Sequence, residues 1–449
     1  MNFDPKNEIA DVAVIGAGGA GLLAGIAAAR AGTKCVIYER MKTPARKVAI
    51  SGGGRCNFTN TLDARRFVQL FGDKNSSRLG NSLRAFSNQD VIALLAQYGV
   101  EGQVERNYRL YTKSGRGTDV VNALVAEFQK AGGVLVTQAR VVDLQRDADS
   151  GGFQLYGTFG DSEEIRRART VVVCTGGLSY PVTGSTGDGY AWARRFGHQV
   201  TALRPALVGL TVEEPWTKQL QGLAWEDAAC SLWPLPPGAQ VATTAAPQGK
   251  PLCTERAEIL FTHFGISGPA ILDVSNAFVA SGLPRAMLTI DFFPNLAREQ
   301  LEQQILERGK QFPNRTLANA LDGMMPTRLM EHLERSLGAD AAVAMCRLPK
   351  TARAKILDLL KRTTLTVKGT RGMEYGEVTA GGVAWEKIDA ATLESQLMPG
   401  LFFAGEILDL TGRCGGFNLQ AAFSTGYLAG QRAAERAKQQ QLDTKTQSH

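Results

Sequence analysis

Histidine is scarce in this chain of 449 residues: there are four, and His449 is the last residue. So few imidazoles, with no Cys/His cluster, argue against a zinc enzyme. The seven cysteines, at 35, 56, 174, 230, 253, 346 and 414, are scattered, odd in number and form no CxxC. That pattern predicts reduced thiols in a cytoplasmic protein, without a disulfide framework or a bound metal. No secretory leader is expected, because the N-terminus is polar and acidic before the first apolar run. The nearest approach to a membrane span is Ala10 to Ala31, and five glycines divide it into strand, turn and helix. No membrane partner is expected. An RNP motif, a KH loop and a zinc knuckle are also missing, and no DNA partner is expected.

What is present is a chain long enough for two or three domains, with an ordinary 44% of hydrophobic and 21% of charged residues. Glycine is abundant, at 49 residues, and collects in loops that follow apolar runs. The net charge of +7 points to an anionic partner without identifying it.

The first apolar run, Val12–Ile15, reads as a buried strand that meets GAGGAG at Gly16 to Gly21. A small-residue helix follows from Leu22 to Ala31, then a strand, Cys35–Tyr38, that ends at Glu39. Strand, G-x-G-x-x-G (Gly16, Gly18, Gly21, with Gly19 inside it), helix, strand and acid in this order predict a dinucleotide-binding βαβ unit. The helix N-terminus would face a pyrophosphate, and Glu39 would accept hydrogen bonds from a ribose.

Two later segments have the same character. Alternating strands over 135–175 end in VVVCTGG, so Thr175, Gly176 and Gly177 bring a second backbone loop to the ligand. Near the C-terminus a strand runs into Gly405-Glu406, and a helix begins near Phe417. Ala421, Ala422, Thr425, Gly426, Ala429 and Gly430 give this helix a small-residue face. The polar tail after Ala434 is expected to fray. Between the nucleotide-binding segments lies different material: residues from about 200 to 290 are rich in Pro, Trp and β-like runs, and residues from about 295 to 362 are helical. The resulting fold class is α/β, a Rossmann-type FAD-binding domain with an inserted β-rich subdomain and a helical subdomain. The expected boundaries are 1–200, 201–294, 295–365 and 366–449. FAD is favoured over NAD because the Gly405-Glu406 unit suits a long cofactor and because there is one fingerprint only. NAD(P)H would then be a transient electron donor.

The stretch KVAISGGGRCNFTN, Lys47 to Asn60, places three consecutive glycines before Arg55 and Cys56. Ser51, Gly52, Gly53 and Gly54 are expected to skirt the flavin or its pyrophosphate with backbone N–H groups, and Arg55 to add a positive charge. The alternative is a plain structural turn. Asn57, Thr59 and Asn60 read as loop-locking groups.

With FTHFGISGPAIL (Phe261–Leu272), GEVTAGGVAWEKID (Gly376–Asp389) and AGEILDLTGRCGGFNLQAAFSTG (Ala404–Gly426), that stretch resembles the BaiN/YhiN-like flavoproteins of the glutathione-reductase-like superfamily. The likeness spans nearly the whole chain. It implies non-covalent FAD and an oxidoreductase. The chemistries it allows are reduction of a carbon–carbon double bond in ribosomal RNA uracil or in a steroid-like bile acid, oxidation of an amine such as aminoacetone, and a general NAD(P)H-dependent reductase. Partners are therefore a small molecule or structured RNA, and a non-catalytic flavin-containing RNA-binding protein is the remaining alternative. Arg40, Lys47, Gly415, Gly416, Phe417 and Asn418 complete the expected cofactor set. His263 is the candidate substrate-side acid, against the plainer reading of a histidine that holds its loop. Cys56 is a candidate proton donor or redox partner, against inert packing. Arg109, Tyr111 and Lys113 either line the substrate entry or form an exposed basic hairpin.

Overall fold

A computed structural model describes residues 3–148, 151–236, 238, 246–336, 338 and 343–447. The chain forms two units, residues 1–205 with 377–449, and residues 206–376.

The first unit is built on β1 (Ala10–Ile15), α1 (Gly19–Arg30) and β2 (Cys35–Tyr38). Its sheet runs 134–136, β2, β1, 162–173, 153–159, 139–146, and the strand Leu401–Phe403 also pairs with 162–173. Strand 162–173 does two jobs. Its second half pairs in parallel with β1 on one side and with Leu401–Phe403 on the other, and its first half pairs antiparallel with 153–159. The parallel strands are buried on both faces, which is why Val12–Ile15 of β1, β2 and Val171–Val173 are unbroken apolar runs instead of alternating ones. The carboxyl ends of β1, β2, 162–173 and Leu401–Phe403 all lie at one edge. In an open α/β sheet that edge is where ligands bind.

The C-terminal helix, Phe417–Gln447, packs along α1 so closely that a Cβ at Gly426 would stand 2.1 Å from the Ala20 carbonyl oxygen. One at Gly430 would stand 2.0 Å from that of Ala24. As far as Gln447 the stretch after Ala434 continues the helix and does not fray as its composition suggested: Ala437 is fully buried, and Lys438 Nζ caps the Ala31 carbonyl at 2.6 Å. A lysine at the end of α1 satisfies a terminal carbonyl and complements the helix dipole, so the polar tail is held by its neighbour.

In the second unit six strands close an antiparallel barrel in the order 210–212, 265–267, 253–262, 224–234, 286–291, 363–370. Closure removes the exposed edges an open sheet would have. Along Ala224–Pro234 burial alternates, with Ala228, Cys230 and Leu232 inside. The helical stretch, expected as a subdomain of its own, shares this core: Leu301, Ile305, Leu329, Ile356 and Leu360 cluster with Leu288 and Leu365. The reason is topological. The helices connect strands 286–291 and 363–370, which are hydrogen-bonded neighbours, so they return to the barrel they left. Among the described residues no helix is long and apolar enough to cross a membrane.

Candidate functional site: a dinucleotide cradle

The fingerprint glycines fall into two classes. Gly16 has φ +99°, and a Cβ there would meet the Cys174 carbonyl oxygen at 2.6 Å. A Cβ on Gly21 would overlap the Gly16 oxygen at 1.8 Å, and one on Gly19 would meet Phe423 at 2.8 Å. These three let strand and helix pack. Gly18 is different: a Cβ there meets nothing within 4 Å, and its φ of −72° suits any residue. No side chain caps the first turn of α1. Unsatisfied N–H donors of an uncapped N-terminus beside open space form a seat for a phosphate.

Glu39 stands where the motif requires it. Its Oε2 accepts from Ala17 N at 2.7 Å and its Oε1 from Met41 N at 2.8 Å. Burial pushes its carboxyl above the usual range, against the pull of those two N–H groups and of Arg40 and Arg46. Arg40 extends from β2 to Thr186 and Asp188. Thr175 carries a buried hydroxyl with no partner, whereas Gly176 and Gly177 are required by packing: a Cβ would meet Ser185 Oγ at 2.8 Å and Thr379 Oγ1 at 2.2 Å respectively.

Glu406 is the hub of the other end. Its Oε1 accepts from Ser179 Oγ and Thr379 N, each at 2.9 Å, and its Oε2 from Lys47 Nζ at 2.9 Å. Lys47 also donates to Ser179 Oγ at 3.0 Å. Four segments far apart in sequence meet in this network. Gly405 sits against Ala20 of α1, where its Cβ would come within 2.6 Å of the alanine Cβ. Sequence reasoning missed Ser179 and Thr379; both lie in or next to stretches it had marked, VVVCTGG and GEVTAGG, but pairing between them is invisible in one dimension.

The three glycines before Arg55 are explained mainly by conformation. Gly52, Gly53 and Gly54 have φ of +57°, +68° and +88°, and a Cβ on Gly53 or Gly54 would meet nothing. Ser51 Oγ donates to the Val48 carbonyl at 2.8 Å. Arg55 lies 4.2 Å over the Tyr111 ring and pairs with Glu105 at 2.7 Å, so its charge is already answered. The next strand is tied down as expected. Thr59 Oγ1 donates to Gln420 Oε1 at 2.6 Å, Asn60 Nδ2 to the Gly415 carbonyl at 3.3 Å, and the amide oxygen of Asn57 accepts from Gly416 N at 3.0 Å.

At the head of the last helix, Gly416 allows contact with β-strand backbone, since a Cβ would meet the Thr59 oxygen at 2.3 Å. Phe417 packs on Phe67 with 5.0 Å between centroids, and Asn418 closes the loop by accepting from Gly412 N at 2.7 Å. Gly415 leaves room for Arg109, whose Nε is buried without an acceptor. Lys113 is an exposed partner of Glu101, and Tyr111 is buried. Cys56 is fully buried, at φ +53°, and burial lifts its thiol to about 11, so it is protonated at neutral pH. No disulfide joins it to Cys414. His263 belongs to the barrel unit, on the exposed turn between strands 253–262 and 265–267, with its ring edge-on to Phe264 at 5.2 Å.

The residues fit FAD. An uncapped helix N-terminus that begins at a glycine with open space suits the pyrophosphate, the Glu39 carboxylate suits a ribose, and the orphaned Thr175 hydroxyl lacks a partner that a bound ligand supplies.

Known proteins agree with this reading. The ribosomal RNA dihydrouridine synthase of Escherichia coli (strain K12) is 30% identical over 94% of this chain and 97% of its own. The 3-dehydro-bile acid delta(4,6)-reductase of Clostridium scindens is 30% identical over 95% of this chain and 99% of its own. Among solved structures, the 3-ketosteroid-delta4-(5alpha)-dehydrogenase of Rhodococcus jostii RHA1 shares the fold with a TM-score of 0.52 at 16% identity, over 96% of this chain and 97% of that one. The HI0933-like protein Rossmann domain matches residues 10–432, and the chain belongs to that family of FAD-dependent oxidoreductases.

Proposed function

We propose that this protein reduces an activated carbon–carbon double bond, that the bond belongs to an unpaired uracil of ribosomal RNA, and that a nicotinamide supplies the electrons in the cytoplasm. The observation that carries the substrate is the match to the E. coli ribosomal RNA enzyme over 97% of its length, joined to a net charge of +7 that suits a polyanion. When bound, reduced FAD would supply the hydride for one carbon of the double bond, and the other carbon would take a proton from water. The amides at the head of α1 would hold the pyrophosphate and Glu39 the ribose. Lys47, ion-paired with Glu406 and bonded to Ser179, would fix the shape of the far end of the cradle. Arg109 has the one property a substrate group needs: a buried donor still without an acceptor. It would take the carbonyl oxygen conjugated to the double bond and draw charge from the carbon that receives hydride. A helical base cannot reach a buried cofactor, so the uracil must be unpaired or flipped out.

The likeness to the bile-acid reductase favours a second reading, an ene reductase for a steroid-like ketone, with the same role for Arg109. Nucleoside mass spectrometry of ribosomal RNA separates the two. Dihydrouridine should vanish on deletion of the gene, return with the wild type, and stay absent with Arg109→Ala, whose purified form keeps its FAD spectrum. Unchanged dihydrouridine in the deletion strain overturns the RNA reading, and turnover of a 4-ene-3-ketosteroid would then establish the second.

A further inference from the structure

Four arginines of the barrel unit, Arg256, Arg285, Arg298 and Arg353, end on carboxylates. Arg256 grips Asp227 with two bonds of 2.7 Å, and Arg285 grips Glu213 with two of 2.8 Å. Arg298 reaches Asp358 at 2.6 Å. Arg371 does not follow them. Its guanidinium carbon lies 4.4 Å from the centroid of Phe264 and 3.4 Å from that of Tyr375. Among the described residues no carboxylate or carbonyl accepts from its guanidinium.

The arrangement is held from below. Phe264 lies on Gly209, where any Cβ would come within 2.6 Å of the ring, and Arg371 N donates to the Gly209 carbonyl at 3.1 Å. The loop has φ of +158° at Gly369 and +91° at Gly372, then a tight turn, Met373–Tyr375, that brings the tyrosine back over the guanidinium. Tyr375 is 43% exposed, and His263 and Lys368 are exposed. Contact with aromatic faces fixes the plane of a guanidinium while leaving its in-plane N–H donors free. The result is an oriented, unneutralised set of phosphate donors beside an exposed aromatic ring.

We infer that this cluster is a docking site for a single-stranded segment of RNA, with a backbone phosphate on Arg371 and a base stacked on Tyr375. The inference rests on the RNA reading of the flavin site and adds where the RNA is held. The chemistry is a base next to a phosphate, which single-stranded binding surfaces recognise through stacking and charge. A steroid would leave the guanidinium desolvated and unpaired, at a cost. The chain's net charge of +7 favours a polyanion over a single nucleotide.

The test uses FAD-loaded protein, a fluorescein-labelled 12-nucleotide oligouridine and deproteinised ribosomal RNA. Arg371→Ala and Tyr375→Ala should each weaken binding about 10-fold. Arg371→Ala should also make the slope of log affinity against log salt shallower by about one. Tyr375→Phe should bind like the wild type, and Arg371→Lys, which keeps the charge and loses the plane, should bind in between. Flavin reduction by NADPH should be unchanged in all four. If the wild type binds RNA and the variants bind equally well, the docking site is wrong while the RNA reading stands. If the wild type shows no salt-sensitive RNA binding, both fall. If RNA binding persists and the apparent KM for NADPH rises instead, the cluster is a nucleotide-donor site and the inference is overturned.

Discussion

Glycine serves opposite purposes at two places along α1. At Gly426, on the C-terminal helix, absence of a side chain lets two helices touch backbone to backbone, with the Ala20 oxygen 2.1 Å from where a Cβ would stand. At Gly18, at the start of α1, the same absence leaves open space that no protein atom fills within 4 Å. One glycine is kept for the fold and the other for the ligand. A motif that merely counts glycines cannot tell these roles apart, and a substitution can.

The largest effect is expected at the packed site. Gly426→Ala should cost about 3 kcal/mol, because the new methyl group meets a carbonyl oxygen that cannot move without its helix, and Tm should fall by roughly 8 °C. The two units have separate cores, so calorimetry should show the loss in one transition, with the barrel's transition in place. An unchanged Tm would mean that α1 and the last helix are not in backbone contact.

Gly18→Ala should do the reverse. Its backbone angles are ordinary, so the apoprotein should unfold at the wild-type temperature, while FAD affinity, read by flavin fluorescence on titration, should fall about 100-fold. A yellow Gly18→Ala protein with wild-type affinity would place the pyrophosphate elsewhere. The wild type has a matching control: FAD at 100 times its Kd should add about 2.7 kcal/mol to the transition of the first unit alone.

The smallest effect distinguishes the units by pH. Each holds one histidine whose imidazole burial drives below its ordinary value. His198 lies in the first unit, bonded to Ser395 Oγ at 2.7 Å. His332 lies in the second, stacked on Trp216 at 4.3 Å with Arg335 adding repulsion. A histidine that resists protonation when folded takes its proton first in the unfolded chain. Stability is therefore full above about pH 6.5 and is lost as pH falls below that value towards the folded pKa. His198→Gln should flatten this loss in the first transition only, and His332→Gln in the second only. Equal flattening of both transitions by one variant would show that the units unfold together.

Much of the first unit was legible in the sequence because its motifs state local backbone needs. Gly16 and the run Gly52 to Gly54 require positive φ, Val12–Ile15 and β2 are apolar without alternation because both faces are covered, and Glu39 follows at the distance set by one helix and one strand. These demands lie within about forty residues of chain, and the family likeness extended them to the C-terminal loop. The β-rich character of the inserted stretch was legible too, from its Pro, Trp and short β-like runs. Closure of the barrel was not, because its last strand, Thr363–Thr370, is separated from its partner 286–291 by the helices. The tail after Ala434 looked frayed because its anchor, the Ala31 carbonyl, is four hundred residues away in sequence.

By itself, then, the sequence determined the strand–fingerprint–helix–strand–acid order of the dinucleotide unit, since it rests on backbone geometry encoded in adjacent residues, and the family likeness implied the FAD oxidoreductase class. Tertiary structure alone decided which glycine faces the ligand, that Lys47, Ser179, Thr379 and Glu406 meet in one network, that Arg109 keeps an unanswered donor, and that Arg371 is held by rings and not by a carboxylate. Those are contacts between segments distant in the chain, and a side chain's partners are set by what the fold brings against it.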